Sequence, residues 1–123
     1  MWEYKIERIG DVCKLYVYPA VKDLKIGGYG YRDVVVYKGA PVSFRSIRDS
    51  LIEIEGIEQV EITSGDGHLI ITVKTRENVN CEDVVTELLN KLSDIMISAE
   101  RDLTELEKVM VESAKRYAEK MKE

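Results

Sequence analysis

The sequence predicts an α+β fold. It comprises an antiparallel sheet made largely of hairpins, two helices on one face, and a second helix much longer than the first. Three observations carry that prediction. Residues 2–18 and 58–75 each alternate apolar and polar side chains with period two around a turn. Between them, the β-branched run VVVY leads into an amphipathic helical pattern. From Asn80 onward, no proline or glycine interrupts a helical series with a heptad repeat.

The elements follow in order. Trp2, Tyr4 and Ile6 alternate with Glu3, Lys5 and Glu7, the mark of a half-buried strand. Gly10-Asp11 supplies turn chemistry. Cys13, Leu15 and Val17 then alternate with Lys14, Tyr16 and Tyr18, completing a hairpin that Pro19 ends. Residues 20–32 hold too few apolar positions to fix an element and read as a loop. Asp33 to Lys38 is a third strand. Ser43 is placed to cap a helix whose inner face is Phe44, Ile47, Leu51 and Ile54, with Gly56 suited to its C-terminal side. Val60 and Ile62, the turn Ser64-Gly65-Asp66-Gly67, and Leu69, Ile71 and Val73 make a second hairpin. Asn80 is placed to cap the last helix, with Asp83 as its acidic partner.

From residue 33 the order is strand, helix, strand, strand, helix. Right-handed crossovers then give a ferredoxin-like antiparallel sheet, extended by the N-terminal hairpin. Tyr16, Tyr18, Tyr37 and Ile70 are expected on its open face.

The last helix carries the most informative pattern. Val85, Leu89, Leu92, Met96, Ala99, Leu103, Leu106, Met110, Ser113 and Tyr117 succeed one another at steps of four and three. Up to Ile97 extra apolar residues widen this stripe, as packing on a sheet requires. Beyond Ala99 it narrows, and Glu100, Arg101, Asp102, Glu105, Glu107 and Lys108 flank it. The division is therefore a sandwich over residues 1–97 and a helical extension over 98–123. Ala99, Leu103, Leu106, Met110, Ser113 and Tyr117 form an association seam for a second copy or a partner helix. A hairpin of two helices broken at Ser98–Arg101 is the alternative. The lack of glycine or proline there favours one helix of roughly 60 Å.

Composition bounds function. With 123 residues, 45% hydrophobic and 33% charged, the chain forms one ordered domain. No run is long and apolar enough for a membrane span, and MWEYKIERIG is no signal peptide, so a cytoplasmic protein is expected. Abundant Lys and Glu with few Asn and Gln point to a thermophilic source. The net charge of −5 opposes nonspecific nucleic-acid binding. It conceals a split, however. Residues 1–48 carry nine Lys/Arg against five Asp/Glu, and the remainder nine against eighteen.

Catalytic groups do not converge, and neither a metal nor a cofactor is expected. Cys13 and Cys81 lack metal-ligand spacing and read as two small buried thiols, with a disulfide as the other possibility. His68 sits in a turn and reads as a mobile surface imidazole. An alternative binding role falls to the basic, tyrosine-rich segment: Lys25, Tyr29, Tyr31, Arg32, Lys38, Arg45 and Arg48, which would take RNA or an anionic ligand. Gly27-Gly28-Tyr29-Gly30 has neither phosphate-loop spacing. The start of the first helix, Ser43 to Arg48, is the better anion candidate.

Three resemblances accompany these readings. GGYGYRDVVVY resembles the aromatic strand of an RNA-recognition fold at Gly28-Tyr29-Gly30-Tyr31, with Arg32 at an aliphatic position and the segment placed before the helix. IRDSLIEIEGIEQVEI with HLIITVKT is similar to the helix and hairpin of heavy-metal-associated domains. The preceding YKGAPVSF has no cysteine, so metal transfer is not implied. Over residues 33–99, the order of elements, VEITSGDGHLIITVKT and LLNKLSDIMISA resemble the small dimerising subunit of the KEOPS tRNA-modification complex. That resemblance implies a noncatalytic scaffold that dimerises and organises partners.

Overall fold

Glycine reverses the chain at its first turn: Gly10 has φ +64°, a conformation that side chains with a Cβ disfavour. The computed structural model describes residues 1–29 and 32–122. The flanking strands, β1 (Trp2–Ile9) and β2 (Val12–Pro19), pair along their whole length from Ile9–Val12 to Trp2–Pro19. The second predicted hairpin also forms, as β6 (Ile57–Ser64) and β7 (Leu69–Thr75). β2 pairs with β7, giving a four-stranded antiparallel sheet in the order β1-β2-β7-β6. Cys13, Leu15, Val17, Val60, Leu69, Ile71 and Val73 are buried, so one face of this sheet builds the core.

The third predicted strand does not join that sheet. It is the centre of a second one, β3 (Leu24–Tyr29), β4 (Arg32–Tyr37) and β5 (Ala40–Ser43), in the order β3-β4-β5. A single sheet containing residues 33–38 beside the 58–75 hairpin is thereby corrected, and the 33–99 stretch is divided between two sheets. The expected loop over residues 20–32 contains β3. The cause is the Lys38-Gly39 turn, with φ of +48° and +83°, which folds β5 straight back on β4 in the register Tyr37–Ala40. Pro41 is tolerated because β5 is an edge strand. Tyr37 consequently packs partly buried against the core instead of facing outward.

Helix α1 (Phe44–Leu51) begins where the sequence places it. Ser43 Oγ accepts a hydrogen bond from the Ser46 amide at 3.1 Å. It ends at the Ile52 cap, short of Ile54, which is nonetheless buried in the following turn. Gly56, at φ +93°, directs the chain into β6.

Helix α2 (Cys81–Lys122) is one unbroken helix of 42 residues. Val84, Val85, Leu88, Leu92 and Met96 are buried, and the helix contacts α1, β4, β5 and β7, so it joins the two sheets into one core. It runs antiparallel to β1. Trp2 Nε1 donates to Ser93 Oγ at 3.1 Å near one end of the contact, and Arg8 meets Glu82 at 3.8 Å at the other. The side-chain oxygen of Asn80 accepts from Arg8 at 3.5 Å, while its carbonyl accepts the Asp83 amide at 3.1 Å.

Cys13 and Cys81 are joined as a disulfide, both 3% exposed, replacing the expected free thiols. The bridge ties β2 to the first residue of α2 across a sequence separation of 68. By loop entropy such a link contributes about 4 kcal/mol. Replacing Cys13 with Ala should lower the denaturation midpoint without reductant, and added dithiothreitol should bring the parent chain down to the same level. Chemical denaturation of both proteins in both conditions checks this.

Candidate association surface

The heptad stripe of α2 changes environment once along its length. Met96 is the last fully buried residue on it, and Ala99 packs partly buried against the core. From Thr104 to Met121 every side chain is exposed. The stretch from Ala99 to Lys122 projects by about 36 Å at helical rise.

All six expected seam residues lie on this projection, along a single face. Leu106, Met110 and Tyr117 are 56%, 62% and 67% exposed. Val109, Val111 and Met121 add exposed apolar surface that the sequence reading did not include. Val109 borders the stripe three positions after Leu106, and that spacing was the available signal. Thr104 Oγ1 donates to the Glu100 carbonyl at 3.0 Å, a local bond that leaves the stripe free.

The basic segment is not assembled into one site. Lys25 and Lys38 do share a shallow cleft of about 870 Å³ on the outer face of β3–β5, with Lys22, which the sequence reading missed, and with Val34 and Val36 as its floor. Lys38 Nζ also lies 5.3 Å from the centroid of the Tyr37 ring. Arg45 is exposed on α1. Arg48 has a structural bond: its Nε donates to the Val60 carbonyl at 3.2 Å, fixing α1 to β6. The expected anion site at the start of α1 is therefore partly committed to internal contacts. The side chains of Tyr29 and Arg32, and Tyr31 as a whole, lie outside the described residues.

The open face of the four-stranded sheet carries a small aromatic group. His68 stacks on Tyr18 at 4.9 Å between ring centroids and meets Tyr16 at 6.1 Å. It is half-buried there, where a mobile surface imidazole was expected. Tyr16 Oη donates to Glu7 Oε2 at 3.0 Å. This bond to the protonated phenol is the main cause that raises its pKa, and burial and the Glu7 charge add to it. A second cleft, of about 800 Å³, borders the disulfide at the start of α2. Two of its rim cations are paired, Arg8 with Glu82 and Lys74 with Asp11, each at 3.8 Å, and Glu58, Arg76 and Glu77 also line it. Among the described residues, no group of three or more His, Cys, Asp or Glu side chains is arranged to hold a metal ion. Nor is any described helix long and apolar enough to cross a membrane.

The chain is 31% identical over 125 positions to a protein of Archaeoglobus fulgidus described as an uncharacterized protein, covering 95% of this chain and 92% of that one. It belongs to the same family as that archaeal protein. No family model matches the chain, and no solved structure matches it.

The contrast between the halves of α2 is measurable. Met96→Ala should cost about 2–5 kcal/mol of stability because it empties a closed site. Met110→Ala should cost less than about 0.5 kcal/mol in dilute protein because no part of the body covers it. Urea denaturation at low concentration compares the two.

Proposed function

We propose that this protein is a noncatalytic assembly subunit that associates, with a second copy or a partner helix, through the projecting half of α2. One observation carries the reading: an apolar heptad stripe on a stretch of helix that its own fold leaves uncovered. Most helical stability in proteins comes from tertiary packing of an amphipathic face, and from Thr104 onward this helix has none within its own chain. Leu106, Met110 and Tyr117 also stand exposed in line, an apolar stripe of the kind that marks an interaction site. Another helix laid on the stripe supplies that packing and covers it.

Light scattering over a range of concentrations tests this. The full chain is expected at twice its 14.1 kDa mass. The double variant Leu106→Asp, Met110→Asp is expected at the monomer mass with its far-ultraviolet circular dichroism otherwise retained. A parent chain that stays monomeric throughout, and that recovers no helical partner, overturns the reading.

A second reading rests on the cleft where Lys22, Lys25 and Lys38 converge over an apolar floor, which suits RNA or another anionic ligand. Titration with labelled tRNA and single-stranded RNA at about 50 and about 200 mM salt is its test. Binding that weakens with salt and is lost in Lys25→Glu, Lys38→Glu supports it. No binding at the lower salt removes it.

A further inference from the structure

We infer that the projecting half of α2 pairs with the same half of a second copy in antiparallel orientation, with the two-fold axis beside Lys108. This rests on the association reading above and adds the partner, the direction and the register.

The body itself excludes the parallel arrangement. The stripe that is exposed from Leu106 to Tyr117 is the same one that carries Val85, Leu92 and Met96, and there it is buried in the chain's own core. A parallel partner laid on the exposed part would have to extend its own first half, with its body attached, through the space this body fills. An antiparallel partner enters from the opposite end. Its body then lies toward the tip of the first helix, away from the space this body fills.

Side-chain size selects the register. In an antiparallel pair, each position of one seam class meets the other class of its partner. Centring the pair at Lys108 sets Leu106 against Met110, Leu103 against Ser113 and Ala99 against Tyr117, each pairing occurring twice by symmetry. The smallest seam residues thus face large ones, and each layer is filled. Lys120 arrives opposite Met96, which is buried in the partner's own core. A shift of one heptad in either direction leaves part of the stripe unmatched or sets Lys120 against Leu103.

Charge selects the same arrangement. Asp102 and Arg116 flank the seam on one edge, and this register brings each against the other on the partner, forming two ion pairs. Val109 lies between them and meets its own copy, which accounts for an exposed apolar residue beside the stripe. The opposite edge sets Glu107 near its own copy, one like-charged contact. Parallel pairing would instead give two contacts of Asp102 with Glu107, and would stack Ala99 on Ala99 and Ser113 on Ser113.

Two measurements on the full chain decide the matter. The first is the distance between spin labels on Glu119→Cys, an exposed position, the native cysteines being buried and bonded to each other. The antiparallel pair places the two labels about 33 Å apart along the axis, whereas parallel pairing brings them side by side. The second is charge reversal. Asp102→Arg is expected to weaken the dimer roughly tenfold, and Asp102→Arg with Arg116→Asp to restore it. In a parallel pair Asp102→Arg would strengthen association, through Glu107. A dimer with a short label distance overturns the antiparallel arrangement alone. A chain that is monomeric by light scattering overturns the association reading with it.

Discussion

Burial of the first half of α2 is the constraint on which the rest of the molecule depends. The three-stranded meander β3-β4-β5 and the sheet β1-β2-β7-β6 each have one apolar face to cover. Leu88, Leu92 and Met96 meet both needs from a single helix. Among the described residues the core contains no buried polar or charged side chain, so packing alone, with few directional bonds, sets its geometry. The contacts that do fix direction lie at its margin. Trp2 to Ser93 and Arg8 to Glu82 align α2 with β1, and the disulfide holds its first residue against β2.

Much of this was legible in the residues. Strict alternation in 2–18 and 58–75 specifies two hairpins because one face of each is buried and a slip of one residue would invert it. The heptad steps likewise specify a continuous α2, since nothing in 98–101 breaks a helix. The second sheet was harder to see. Among the described side chains of β4 only Val35 is fully buried, while Val34 and Val36 are half-covered on the outer side, so the unbroken run VVVY hides its alternation. Pro41 resembles a chain breaker until β5 is known to be an edge. The Lys38-Gly39 pair was the overlooked signal, because glycine at the second position suits a two-residue hairpin turn.

The candidate surfaces divide along the same line. Seam residues are recognisable by spacing because a helix maps sequence period directly onto a face. Basic residues carry no such rule. Lys22, Lys25 and Lys38 meet through the pairing of β3 with β4, and Arg48 is drawn away by a carbonyl of β6. Which lysines meet and which arginine is occupied depends on strand register, which composition does not encode. The disulfide is of this kind too: a separation of 68 residues gives no hint that β2 and the start of α2 adjoin.

The continuity of α2 has a consequence for how the family can vary. The buried stripe and the exposed stripe belong to one rigid helix, so the angular phase of the outer seam is fixed by side chains inside the core. Inserting or deleting one residue between Met96 and Leu103 would leave the body intact and rotate the outer stripe by about 100° around the axis. Loops elsewhere absorb changes in length, but this segment has none to absorb them. Relatives should therefore conserve the spacing between Met96 and Tyr117 more strictly than they conserve the residues within it.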